Sequence, residues 1–129
     1  MREFVQRAFG ELGARVEFEG AGVDEVGRVT AVDLAAFTSA CENRGGNSSV
    51  EATGFTPGDV VVKVDSRYYR TTEVESLLGD PSKALERLGW RPRATFSELV
   101  HEMVREDLQH ALRTDVLLKE GFVVREPRE

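Results

Sequence analysis

DSRYYRTTEVESLLGDPSKALERLGWRP, residues 65–92, follows directly on Val60-Val61-Val62-Lys63-Val64. That β-branched run is bounded by Pro57-Gly58 on one side and Asp65-Ser66 on the other, which predicts a strand. A segment leaving the end of a strand is a favoured place for ligand contacts, because the strand fixes its origin. Arg67 and Arg70 bring guanidinium groups there, and their rigid fork of donors suits phosphate oxygens. Glu73, three residues beyond Arg70, offers a carboxylate to sugar hydroxyls. An Arg-x-x-Glu pair thus holds one group for a diphosphate and one for a ribose. Spacing alone equally admits a surface ion pair beside two half-buried tyrosines, Tyr68 and Tyr69, and such pairs are weak.

Downstream, the chain is well punctuated. Asp80 is placed to cap a helix, Pro81 suits its first turn, and Gly89 can close it in the left-handed conformation. Ala84, Leu85 and Leu88 form its apolar stripe. Thr95-Phe96-Ser97-Glu98 has the form of a capping box. Phe96, Leu99, Val100, Met103, Val104, Leu108, Ala111 and Leu112 recur at helical spacing, predicting a core-facing helix to about Thr114.

The residues that carry a resemblance are now in place. Val64-Asp65, Arg67-Tyr68-Tyr69-Arg70, Thr72-Glu73-Val74-Glu75, Leu77-Leu78-Gly79-Asp80-Pro81, Lys83-Ala84, Leu88-Gly89-Trp90, Glu98-Leu99-Val100 and Glu102-Met103-Val104 resemble the C-terminal part of GDP-mannose 4,6-dehydratases. Arg2-Glu3-Phe4-Val5 and Glu25-Val26-Gly27 are similar to the same family, and the likeness lapses between about Thr30 and Phe55. The portion from Gly79-Asp80 to Gly89-Trp90 recurs more widely among extended short-chain dehydrogenases acting on nucleotide sugars. Two departures stand out: Ser66 and Thr71 occupy positions where the family usually has proline, which loosens the loop that presents Arg70.

The resemblance implies a lyase, converting GDP-mannose to GDP-4-keto-6-deoxymannose through an NADP hydride cycle. It implies that Arg70 contacts the diphosphate of GDP-mannose and Glu73 its ribose, matching the division of labour read from the residues. It also implies a Rossmann-type cofactor domain, supplied in cis or in trans, and a homo-oligomeric complete enzyme.

Composition sets further bounds. The length fits one small domain. A formal net charge of −6 disfavours non-specific nucleic-acid binding, so the basic pair Arg67 and Arg70 reads as a site for a small anion. Cys41 is the sole cysteine and leaves no intrachain disulfide. No long apolar run predicts a membrane span, and the opening MREFVQRAFG does not read as a signal peptide; the expected setting is cytoplasmic.

Phe4, Val5, Ala8, Phe9 and Leu12 predict an amphipathic helix that Gly13 terminates. Its pattern is already under way by the fourth residue, and the resemblance puts a complete nucleotide-binding domain ahead of it. Val16 and Phe18 alternate with charged residues as a strand, Gly20 to Gly27 reads as a turn, and Val29, Ala31 and Asp33 to Phe37 as another extended piece. Thr38 to Gly58, with Gly45-Gly46 and Asn47-Ser48-Ser49, reads as a long mobile loop, either a lid or a tolerated insertion. The tail over 119–129 reads as frayed.

Missing chemistry is informative too. Gly10 and Gly13 have half the spacing of a dinucleotide fingerprint but fall within and just after the first helix, and no third glycine follows. None of Lys63, Lys83 and Lys119 has tyrosine four positions before it, so the Tyr-x-x-x-Lys pair of these dehydrogenases is not encoded. His101-Glu102 lacks the second histidine of a zinc-protease helix, and no metal site is expected.

The fold expected is therefore α/β: a single substrate-binding lobe over 1–129, with two or three short strands, about three helices and no Rossmann domain of its own. Two functions stand against each other. One is the GDP-mannose-binding part of a dehydratase, with no NADP site and no catalytic residue in this chain. The other is a stand-alone binding or interaction protein, or a truncated remnant that complements a separate cofactor domain.

Overall fold

The computed structural model describes residues 1–43, 54–70 and 78–124. Helix α1 (Arg2–Glu11) leads into strand β1 (Ala14–Glu19), a 3-10 turn (Gly22–Asp24) and strand β2 (Val26–Val32). Helix α2 (Leu34–Glu42), strand β3 (Val60–Lys63), helix α3 (Ser82–Leu88) and helix α4 (Phe96–Lys119) complete the order. The three strands form one antiparallel sheet in the order β1-β2-β3, so the architecture is α/β as expected.

Periodicity explains the sheet. Ala14 and Val16 lie two apart on β1, both turn inward, and Val16 pairs across the ladder with Val29. Arg15, Glu17 and Glu19 face water between them. Gly27, on the central strand, faces Phe18 on one side and Val62 on the other. A Cβ there would stand 3.0 Å from the Val62 Cβ and 3.2 Å from the Phe18 ring. Glycine is needed because three side chains already fill the space.

Around the sheet, α1 packs on β1, and α4 packs on α1 and more lightly on α2. The buried apolar set is small: Ala14, Val16, Val29, Cys41 and Val100. Phe55 joins α1 to α2 by edge contacts with Phe9, at 5.9 Å between ring centroids, and Phe37, at 6.3 Å. The turn Thr56-Pro57-Gly58-Asp59 then delivers the chain to β3, closed by Asp59 N–H donating to the Thr56 carbonyl at 3.1 Å.

Several expectations need correction. Asp33 to Phe37 is not extended: the Asp33 carboxylate accepts from the Ala36 amide at 3.0 Å and caps α2, a fourth helix. Thr38 to Glu42 belongs to that helix, and Gly54 to Gly58 carries the Phe55 cluster and the β3 turn, so both ends of the expected 38–58 loop are ordered structure. Its middle lies outside the described residues. The turn at Gly20 is shorter than read, since Val26 and Gly27 are already in β2.

Helix α3 is capped one residue later than expected. Pro81 stands at the N-cap, while Asp80 accepts from the Ser82 amide at 3.0 Å and its hydroxyl at 2.6 Å. Gly89 does close it with φ 64, and the Trp90 amide reaches back to the Ala84 carbonyl at 3.4 Å. Helix α4 has the capping box foreseen at Thr95 and Glu98 but runs to Lys119, five residues beyond Thr114. An Asp115–Lys119 pair at 2.7 Å supports its last turn, and Gly121, with φ 81, ends it. Residues 119–122, expected as part of a frayed tail, instead close the helix, the Phe122 amide donating to the Leu117 carbonyl at 2.9 Å, and residues 125–129 lie outside the described set.

Candidate functional site

The loop after β3 starts with a tight turn. Tyr68 N–H donates to the Asp65 carbonyl at 3.0 Å, and the Asp65 carboxylate accepts from the Arg67 amide at 2.9 Å. Ser66 sits where proline is favoured, and the aspartate supplies by hydrogen bonding the restraint that a ring would otherwise impose. Arg67 folds back on the same carboxylate, its Nε at 3.0 Å and terminal nitrogen at 2.6 Å from Oδ2. Its guanidinium also lies 5.5 Å from the centre of the Tyr68 ring. The Arg67 side chain, then its amide, hold the Asp65 carboxyl below the usual carboxylate range.

Arg70 is arranged differently. It is exposed, and among the described residues it has no hydrogen-bond or ion-pair partner. The two arginines are therefore unequal among the described residues: Arg67 is occupied by Asp65, and Arg70 has no such partner there. Glu73, the other residue singled out, lies outside the described residues. Tyr69, next to Arg70, rests on the 3-10 turn, with its hydroxyl 3.2 Å and its Cζ 3.7 Å from where a Cβ on Gly22 would stand.

Elsewhere, an open groove of about 600 Å³ runs along α1, β1 and the end of β2, lined by Gln6, Gly13, Ala14, Val16 and Asp33 among others. Its arginine, Arg15, is paired with Glu17 at 3.2 Å. It includes no residue of the Arg70 loop. Cys41 is buried, and burial pushes its thiol up. Among the described residues no cluster of histidine, cysteine and carboxylate is arranged to hold a metal ion, and no helix is long and apolar enough to cross a membrane.

Sequence reasoning named Asp65 and Tyr69 but missed the Asp65–Arg67 pairing and the approach of Tyr69 to Gly22. The Asp-Ser-Arg order is itself a turn signal and could have flagged Asp65 as the arginine's partner. Nothing local pairs Tyr69 with Gly22, since β2, α2 and β3 lie between them.

The structure is a small α/β unit in which, among the described residues, the Arg70 guanidinium on the loop leaving β3 has no partner. Comparison with known proteins makes this specific. The family described as GDP-mannose 4,6 dehydratase matches residues 1–103, and the chain belongs to that family. It is 43% identical over 124 residues to a GDP-mannose 4,6-dehydratase of Yersinia enterocolitica and 44% identical over 124 residues to one of Vibrio cholerae, each covering 96% of this chain and 29% of the relative. A GDP-mannose 4,6 dehydratase 2 of Caenorhabditis elegans is 43% identical over 108 residues, covering 84% of this chain and 22% of its own length. The chain thus spans less than a third of the length of these relatives.

Proposed function

We propose that this chain is the C-terminal, GDP-mannose-binding part of a GDP-mannose 4,6-dehydratase, with Arg70 gripping the diphosphate and Glu73 holding the ribose. The family supports the substrate, and the contrast between the two arginines supports the assignment of Arg70. A guanidinium already gripped by a carboxylate offers little to a second anion; an unpaired one offers a bidentate contact. Where the family pattern has proline, the Asp65 turn supplies order to the loop, which answers the looseness that Ser66 brings.

The complete enzyme is a cytoplasmic, NADP-dependent lyase and a homo-oligomer, and its nicotinamide chemistry belongs to a Rossmann-type domain in cis or in trans. Leu85, Leu88 and Trp90 around α3, and Leu99 and Met103 on α4, are exposed apolar side chains of the kind on which such a domain is seated. The alternative, a stand-alone binding protein, keeps the nucleotide contacts and drops the seating.

Calorimetric titration of GDP and GMP tests the assignment. Arg70→Ala should lose a charge-assisted contact of about 1.5–3 kcal/mol, or one to two decades of affinity, with the larger loss for GDP. Glu73→Gln should weaken both nucleotides alike, since both carry the ribose. Arg67→Ala should change little. Equal losses for GDP and GMP on removing Arg70, or none, would return the Arg-x-x-Glu pair to a surface feature.

A further inference from the structure

We propose that Tyr69 is the positioning residue for Arg70 and that it acts through Gly22, an inference that rests on reading Arg70 as the diphosphate contact. The loop leaving β3 has two restraints among the described residues. One is the Asp65 turn, which fixes Arg67 and ends at Tyr68. The other is Tyr69 itself, which is only 42% exposed against 77% for Tyr68. Its phenol occupies the space over Gly22 that a side chain there would contest at 3.2 Å.

Gly22 is a firm base for such a contact. It opens the 3-10 turn, whose amides at Asp24 and Glu25 donate back to Ala21 and Gly22 at 3.3 and 3.4 Å. Glu25, immediately after, is bound by Arg2 of α1 and leads into the central strand. Through Tyr69 the loop is therefore tied to the rest of the fold at the residue adjoining Arg70. Fixing the backbone there lowers the ordering that diphosphate binding demands, and that raises affinity without adding a contact.

Two measurements on the 129-residue chain test this, with GDP and GMP as probes. In the wild type the Arg70 amide should show a nuclear-magnetic-resonance order parameter near the rigid value of about 0.85, and Tyr69→Ala should drop it below about 0.6. Tyr69→Ala should also weaken GDP about fivefold while leaving GMP within about twofold, and Tyr69→Phe should restore both readings. Gly22 has φ 62, so Gly22→Ala carries backbone strain of its own. The double-mutant cycle removes that strain, and Gly22→Ala should add no further GDP-specific loss once Tyr69 is alanine.

If Tyr69→Ala leaves the Arg70 amide ordered and the GDP preference intact while Arg70→Ala abolishes that preference, the positioning role is wrong and the diphosphate assignment stands. If Arg70→Ala leaves the GDP preference unchanged, both fall.

Discussion

Val100→Ala should destabilise the chain by about 2 kcal/mol, whereas Leu88→Ala, which removes more carbon, should cost under about 0.5 kcal/mol. Val100 is 1% exposed and is the fully buried residue of α4, the helix that covers α1. Removing two methyl carbons forfeits roughly 0.8 kcal/mol each in transfer, with an added cavity contribution where neighbours do not collapse. Leu88 is 80% exposed on α3 and has little burial to lose. Against the roughly 5–15 kcal/mol typical of a domain, and with five apolar residues buried among the described ones, the first change is a large fraction of the total. Urea unfolding followed by circular dichroism measures both, with the slope checked for constancy. Comparable losses for the two variants would refute the packing described here, because they would require α3 to be buried as deeply as α4.

The chain alone should neither bind NADP nor turn over GDP-mannose, since no glycine fingerprint and no Tyr-x-x-x-Lys pair is encoded; nucleotide fluorescence and product chromatography check this, and turnover by the purified chain would contradict it. Stability should fall in acid. Asp65, Asp80 and Glu98 are all held below the usual carboxylate range: Asp65 by the Arg67 side chain, Asp80 by the Ser82 hydroxyl, and Glu98 by the Thr95 amide and then its hydroxyl. Because the folded values are the lower ones, their contribution is complete above the ordinary carboxylate range and is lost as pH falls through the lowered values. Glu98→Ala should flatten that decline in thermal melts, and an unchanged slope would count against the capping box as its source.

Much of the fold was legible where the signal is local. The Thr95–Glu98 box, the Gly89 stop and the Val60 strand depend on residues within one turn of each other, and all three are present. Helix α2 was not legible, because Asp33 caps it from a position that also continues the alternation of Val29 and Ala31; the cap overrides the alternation. Leu88 and Val100 sit on equally good apolar stripes, and only tertiary packing separates the exposed one from the buried one. At the site, Arg70 was read from its Arg-x-x-Glu spacing and from resemblance; the pairing of Arg67 with the Asp65 carboxylate emerges only once the turn is drawn. Glu73 stays a reading from sequence and family.

The most direct test of the central claim is titration of GDP into the isotope-labelled chain, followed amide by amide. The account predicts that the shifted amides cluster on the loop after β3, at Arg70 and Tyr69, and spread to Gly22 across the Tyr69 contact. Shifts confined to the groove of Gln6, Gly13, Ala14 and Val16, with the Arg70 loop silent, would contradict it.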